Sequence, residues 1–330
     1  MKALLIGYYG YGNVGDDILL DKTIFLVEKM LRSKRIWILS AKGNSYRYAI
    51  NRWNPFMVIK TIFSVDILVF GGGGLLQNTT SNFSLFYYLS FIFFAKFFNK
   101  KIVLLAQGIG PIRGFMAKLF VRIALDCVSK ITIRSKEVSE YVSLGNRVKL
   151  SSDLAFYQAS GFFPRESIST NTVGVNFCQI KEQKQYAFLV SEIRNLGFHV
   201  SGLSFCQSVD TQLLIDSGIQ NNDIKEVSAS SYYKASNIHY NCMLVMRYHG
   251  CIWASLQGIP FIAIAYDDKV FQLATLMKQP VLTMEELTLP SSFKQLITSI
   301  TSNFCFYQDN IVKSRDRLLE LSRLNEWVFT

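Results

Sequence analysis

Nine short, mostly apolar runs of four to six residues recur along this chain, and helix-like stretches separate most of them. Runs of this kind read as strands of a parallel sheet, because a strand covered on both faces needs no polar alternation. The pattern predicts strands at 2–6, 35–39, 66–70, 101–106 and 130–133, then again at 173–177, 198–203, 242–246 and 260–265. Helices are expected at 18–31, 183–196, 211–217 and 251–257. Between the two series, residues 156–172 are rich in Ser, Thr, Gly and Pro and read as a linker. With 330 residues, two domains are the default. The expected fold class is therefore α/β, with two doubly wound domains facing a cleft. They are assigned to 1–155 and 173–330, the second closing with an amphipathic helix at 311–327.

In an open parallel sheet, the loops at successive strand exits face one crevice, and ligands bind there. Met246-Arg247-Tyr248-His249-Gly250 follows one expected strand, and Tyr266-Asp267-Asp268-Lys269 follows the next. Two cations and an imidazole at neighbouring exits fit a small, multiply charged anion and a proton to be moved. The chain has only three histidines, so His249 between Arg247 and a helix start stands out.

Three glycine-rich loops occupy other strand exits. Gly10-Tyr11-Gly12-Asn13-Val14-Gly15 satisfies the dinucleotide fingerprint G-x-G-x-x-G and runs into Asp16 and Asp17. An NAD site also wants an acid ending the second strand, where this chain has Ser40-Ala41-Lys42. That argues against NAD and leaves NADP open, with Lys42 or Arg47 near a 2′-phosphate. Gly71-Gly72-Gly73-Gly74 and Gln107-Gly108-Ile109-Gly110 repeat the design. Their accessible N–H groups can form anion nests, or they can be tight turns. Asp16 and Asp17 suit sugar hydroxyls or complement a helix dipole.

Residues 1–155 hold 21 Lys+Arg against 9 Asp+Glu, a net of +12, whereas residues 156–330 hold 14 against 15. No acid occurs from residue 67 to 125, where Lys96, Lys100, Lys101, Arg113, Lys118 and Arg122 lie. A one-sided basic surface fits an anionic membrane face or a phosphorylated substrate. Nucleic acid is disfavoured because the aromatics sit in apolar runs instead of alternating with cations. Residues 83–98 form an aromatic stretch of 16, short of the roughly 20 needed to span a bilayer. It reads either as a buried helix or as a monotopic one entering lipid. No secretory signal is evident at Met1, and no metal-ligand spacing occurs among the six cysteines. A cytoplasmic location, at most peripheral to the inner face of the cell membrane, is expected, with no metal and no cofactor.

Taken in order, these motifs resemble the polysaccharide pyruvyl transferase family. The resemblance runs from the Gly10 to Asp17 loop through the Gly71 and Gln107 loops, Arg134-Ser135-Lys136-Glu137 and Ser152-Asp153-Leu154. It continues to Arg247-Tyr248-His249-Gly250 and Tyr266-Asp267-Asp268-Lys269, covering nearly the whole chain. It implies two Rossmann-like domains in the glycosyltransferase-B arrangement. It further implies transfer of the enolpyruvyl group of phosphoenolpyruvate onto two hydroxyls of a glycan sugar, as a cyclic ketal in cell-surface or exopolysaccharide biosynthesis. By position, His249, Arg134 and Lys269 match the family's donor-binding and catalytic residues. The expected substrate contacts are Arg247, Gly12, Asn13, Gly15, Asp16, Asp17, Gly72, Gly73, Gln107, Gly108 and Tyr266. The basic domain is then the acceptor side, for a sugar or lipid-linked glycan, and the second domain the donor side. The alternatives are a nucleotide-sugar glycosyltransferase of the same fold and a non-catalytic glycan- or membrane-binding protein.

Overall fold

The computed structural model describes residues 1–330 except 33–34, 42–45, 47, 80, 136–144, 161–170, 181–184, 236–238 and 289. Lys42, Arg47, Lys136 and Glu137, and most of the linker, lie outside the described residues. The chain forms two compact units. The first comprises Met1–Tyr11, Asp16–Gln158 and Leu318–Thr330, and the second Gly12–Gly15 and Ala159–Arg317.

The first unit contains β1 (Lys2–Tyr9), α1 (Val14–Leu31, its first two residues in the second unit), β2 (Arg35–Ser40), β3 (Ala49–Asn51) and α2 (Pro55–Ser64). There follow β4 (Ile67–Phe70), β5 (Gly73–Leu76), α3 (Asn82–Phe97), β6 (Lys101–Ile109), α4 (Phe115–Asp126), β7 (Lys130–Ile133) and β8 (Val148–Leu150). The strands pair in parallel in the order β3-β2-β1-β4-β6-β7-β8, with β5 added beside β6. Alternate strand residues feed two cores. Leu4, Ile6, Leu68 and Phe70 meet α2, α3 and α4 on one face. Ala3, Leu5, Ile67 and Val69 meet α1 and the C-terminal Val328 and Phe329 on the other. Sequence sets the helix starts: the Asn54 side chain accepts from the Met57 N–H ahead of Pro55, and Ser81 accepts from the Ser84 N–H.

The second unit contains β9 (Thr172–Asn176), α5 (Gln185–Asn195), β10 (His199–Ser204), α6 (Gln207–Asp216), β11 (Ile224–Glu226) and α7 (Ala229–Tyr232). It continues with β12 (Cys242–Val245), α8 (Tyr248–Leu256), β13 (Phe261–Ala265), α9 (Asp268–Leu276), β14 (Val281–Thr283), α10 (Pro290–Ser302) and α11 (Phe304–Ser322). Its parallel sheet has the order β11-β10-β9-β12-β13-β14. In each sheet the chain reverses its direction of winding beside the first strand, between β1 and β4 and between β9 and β12. Crevices open outside the strand carboxyl ends at such switch points.

The structure differs from the sequence division at the C-terminus. Residues 318–330 belong to the first unit, not to the domain beginning at 173. The cause is specific bonding: Ser152 Oγ donates to the Leu318 carbonyl at 2.6 Å, and Thr132 Oγ1 to Asn325 Oδ1 at 2.5 Å. Lys29 pairs with Glu326 at 2.7 Å. The glycine tract at 71–74 is likewise only half a loop, since Gly73 begins β5. Among the described residues, no helix is long and apolar enough to cross a membrane.

Candidate functional site

In the second unit, the switch point between β9 and β12 gathers the residues of interest. Arg247 caps α8, and its N–H donates to Asn176 Oδ1 at 3.0 Å. Asn176, the last residue of β9, is fully buried and donates its own amide to the Leu203 carbonyl at 3.0 Å. The Arg247 guanidinium grips Asp210 with two bonds along one edge, Nε to Oδ2 at 2.7 Å and Nη2 to Oδ1. Asp210 is fully buried and also accepts from the N–H groups of Phe205, at 3.0 Å, and Cys206, at 3.1 Å. A buried carboxylate bonded to this many donors is held in one position, so Arg247 is fixed by a two-pronged partner. Sequence reasoning, alert to cations at strand exits, missed Asp210 and Asn176.

His249 lies one turn into the same exit, half-buried, with its carbonyl accepting from the Tyr232 hydroxyl at 2.7 Å. The glycine loop Gly12–Gly15 packs against this unit: the Val14 N–H donates to the Phe205 carbonyl at 3.0 Å, and the Asn13 side chain accepts from the Gly15 N–H at 3.1 Å. A Cβ on Gly15 would stand 2.2 Å from His249 Nδ1 and 2.7 Å from Cγ. Gly15 is glycine because the imidazole occupies the place of its side chain. Gly12, with φ +77°, has open space around it and is glycine for its backbone.

Lys269 follows β13 on the first turn of α9, where Asp267 caps the helix by accepting from the Lys269 N–H at 3.0 Å. Its ammonium sits 2.9 Å from Asp267 Oδ2 and remains 42% exposed, so it is free to swing to a ligand. Tyr266 precedes it, hydrogen-bonded to the Cys178 thiol. Burial pushes that thiol up to about 11, against the lowering influence of Arg247. Cys178 is therefore a neutral packing group at physiological pH, and it adjoins Arg247, Tyr266 and Lys269.

The first unit holds the remaining expected residues. Arg134, after β7, donates from Nη1 to the fully buried Asp153 Oδ2 at 2.6 Å. Its guanidinium fills the space a side chain at Gly108 would need, 3.0 Å from that Cβ position. Gln107 is fully buried and donates to the Gly71 carbonyl, so it braces one glycine loop against another. A Cβ on Gly71 would strike the Tyr9 hydroxyl at 2.0 Å, and one on Gly72 would crowd Leu19 at 3.0 Å. Gly73 is required by its φ of +120°. Asp16 and Asp17 stand in the first turn of α1, where the dipole favours them. Burial raises the pKa of Asp17, while its Tyr46 hydrogen bond works in the other direction.

One feature of this unit escaped sequence reasoning altogether. Arg52, buried, lies within 5.2 to 5.9 Å of the ring centres of Tyr8, Tyr11, Trp53, Tyr87 and Tyr88. It donates to the Tyr88 hydroxyl at 2.9 Å, and its Nε has no hydrogen-bond partner among the described residues. Tyr8 and Tyr11 stack at 4.1 Å, and both rings are exposed, as is Trp53. Among the described residues no three His, Cys, Asp or Glu side chains gather as a metal site.

A sequence profile of the polysaccharide pyruvyl transferase family matches residues 13–268. No curated protein matches the chain. Among solved structures, the chain is similar to the spinosyn rhamnosyltransferase SpnG, with TM-score 0.60, 10% identity and 98% of each chain covered. It is also similar to Anabaena HepE in complex with UDP-glucose, with TM-score 0.57, 12% identity, and 99% of this chain and 98% of that one covered. A glycosyltransferase from Rickettsia africae gives TM-score 0.57 at 13% identity, covering 99% of this chain and 96% of that one. At such identities the likeness shows the fold, two Rossmann-like units of the glycosyltransferase-B class.

Proposed function

Since the chain belongs to the polysaccharide pyruvyl transferase family, we propose that it moves the enolpyruvyl group of phosphoenolpyruvate onto two hydroxyls of a glycan sugar. The product is a cyclic pyruvate ketal of a cell-surface glycan. The observation that carries this reading is the junction at the β9–β12 switch point: an imidazole packed on a glycine loop, beside an arginine locked by a buried aspartate. Phosphoenolpyruvate carries a carboxylate and a phosphate on one carbon skeleton. Lys269 supplies a mobile point charge and Arg247 oriented N–H groups for them. His249 passes a proton to the methylene carbon as a sugar oxygen bonds to the neighbouring carbon. The C–O bond to phosphate then breaks, and the second hydroxyl closes the ketal. Of the two hydroxyl protons, one ends in the new methyl group and the other leaves with phosphate.

The first unit supports the acceptor side. The stacked Tyr8–Tyr11 pair and Trp53 offer flat apolar faces for a sugar ring, and Asp16 and Asp17 offer acceptors for its hydroxyls. The acceptor is a sugar or a lipid-linked glycan, and a lipid-linked one would be presented at the cytoplasmic face of the membrane, where the basic first unit would meet it. A second reading, a nucleotide-sugar glycosyltransferase, is favoured by the fold shared with proteins solved with UDP-glucose. The decisive experiment supplies phosphoenolpyruvate and lipid-linked oligosaccharide and reads the product by mass spectrometry. A pyruvylidene mass gain with release of inorganic phosphate supports the first reading. Sugar transfer with release of a nucleoside diphosphate supports the second.

A further inference from the structure

The helices α2, α3 and α4 all cover one face of the first sheet, and their outward sides share two properties. The first is exposed hydrocarbon. Phe56, Phe63, Phe83, Phe97 and Phe115 are each between 67% and 82% exposed. Of the 25 large apolar side chains exposed among the described residues, 12 lie on these three helices, so the exposure is a face and not a scatter. Apolar surface of this extent marks an interaction site. The second property is charge of one sign. The three helices carry Lys60, Lys96, Lys118 and Arg122, and their single acid is Asp126 at the last position of α4.

The elements are bound into one surface. Lys100 donates to the Phe63 carbonyl at 2.7 Å, tying the end of α2 to the residues after α3. Phe63 meets Phe98 edge-on at 5.6 Å, and Phe86 meets Phe120 of α4 at 5.6 Å. Along α3 runs a groove of about 440 Å³ lined by Ser90, Phe93, Phe94, Phe97 and Phe98. The Ser90 hydroxyl, its one polar group, is already spent on the Tyr87 carbonyl at 2.7 Å. Such a groove offers a ligand only hydrocarbon contact.

We propose that this face docks the protein on a bilayer rich in anionic lipid, with the phenylalanines entering the acyl boundary and the groove taking a hydrocarbon chain. A second copy is a poor occupant, because a two-fold contact would set like charges opposite one another with no acids to offset them. An anionic interface matches both properties at once: aromatic rings enter it while lysines reach its phosphates. The crossover topology adds a reason. Helices run antiparallel to the strands they follow, so Phe56, Phe83 and Phe115, in the first turns of α2, α3 and α4, sit at the edge where the β1, β4 and β6 loops emerge. A sugar carried on a lipid would thereby be delivered to the loops of this unit. The inference deepens the acceptor assignment above, but the docking surface stands independently of the transfer chemistry.

The test is co-sedimentation of the full chain with vesicles of phosphatidylcholine alone or mixed with phosphatidylglycerol, over a salt series. Binding is expected only with the anionic lipid and falls as salt rises. Replacing Lys60, Lys96 and Lys118 by glutamine should weaken binding about 100-fold, from roughly fivefold per cation lost. Replacing Phe56, Phe83 and Phe115 by serine should weaken it at least tenfold each in rough terms. Neither set touches the groups assigned to transfer, so both variants should keep wild-type turnover on a short soluble acceptor. Wild type that ignores anionic vesicles at low salt overturns the docking face, as does equal binding to neutral vesicles or a dimer abolished by the serine variant. Vesicle binding by a protein that releases no phosphate from phosphoenolpyruvate with any acceptor would instead sink the transferase reading alone.

Discussion

Gly15→Ala is the most informative single perturbation of the candidate site. The added methyl would lie 2.2 Å from His249 Nδ1, 2.7 Å from Cγ and 2.9 Å from Cε1. Ordinary contact begins near 3.4 Å, so the imidazole or the loop must give way by about 1.2 Å. Misplacing a reacting group by about 1 Å costs on the order of 100-fold in rate, or about 2.7 kcal/mol in the barrier. The fold should lose less. Gly15 lies in the first turn of α1 without a positive φ, so alanine gains up to about 1 kcal/mol of helix propensity there. That gain partly offsets an overpacking cost of about 1–3 kcal/mol. The assay pairs steady-state phosphate release with thermal unfolding. The stronger form is a double-mutant cycle with His249→Ala, which empties the space the methyl would enter. In that background, Gly15→Ala should cost nothing further. Additive losses would mean that Gly15 acts on something other than the imidazole, and wild-type turnover in the single variant would refute the positioning role outright.

His249→Ala by itself should lower turnover by about 10² to 10⁴ while leaving the affinity for phosphoenolpyruvate nearly unchanged, as measured by product-inhibition-free binding titration. Lys269→Ala should raise KM for phosphoenolpyruvate by a factor corresponding to roughly 1.5–3 kcal/mol, with little change in urea midpoint because its pair with Asp267 is exposed. Arg134→Ala should raise KM too, but it strands the buried Asp153 and should destabilise the fold by about 3–5 kcal/mol, visible in the same urea titration. The Lys29 and Tyr157 hydrogen bonds hold the Glu326 carboxyl below its usual 4.5, so its contribution is present above that pH and is lost as pH falls through the lowered value. Glu326→Gln should therefore lower the unfolding midpoint at pH 7 and converge on wild type in acid.

The sequence made the apolar strands legible and left the shortest strands and the helices α2, α4, α9 and α10 unassigned. The nine apolar runs all became strands, because a buried parallel strand writes its burial directly into composition. Of the five strands not foreseen, β3, β8, β11 and β14 are three residues long, too short for a pattern to register, and β5 begins inside the glycine tract, which reads as a loop. Burial alternation along β1 assigns Leu4 and Leu5 to opposite cores, a distinction invisible in a run that is apolar throughout. At the site, the strand-exit rule found Arg247, His249 and Lys269 but not Asp210, whose carboxylate arrives from α6 across β10 and bears no sequence relation to the arginine it holds. Arg52 was missed for the same reason. Its cage draws Tyr8 from the end of β1, Tyr11 from the loop after it and Tyr87 and Tyr88 from α3, and only folding brings them together. The C-terminal return was hidden because Asn325 and Glu326 find their partners 193 and 297 residues away.

The buried aspartates change how recognition of the donor should be understood. From composition, Arg134 and Arg247 are two positive charges for a polyanion. In the structure each is neutralised by a fully buried carboxylate, Asp153 in one unit and Asp210 in the other. Little net charge then remains on either pair, and attraction at a distance is a small part of what they contribute. What survives neutralisation is direction: a guanidinium held by a buried carboxylate, Arg247 along its Nε/Nη2 edge and Arg134 through Nη1, presents its remaining N–H groups at a set angle, with its reorganisation completed before a ligand arrives. Lysine in place of either arginine would keep the charge and lose that geometry. The mobile cation is Lys269, whose exposed pairing with Asp267 is easily exchanged for a ligand oxygen. A donor site of the proposed kind would discriminate by the placement of oxygens more than by total charge, which suits the proposed donor, whose carboxylate must stay bound while its phosphate departs.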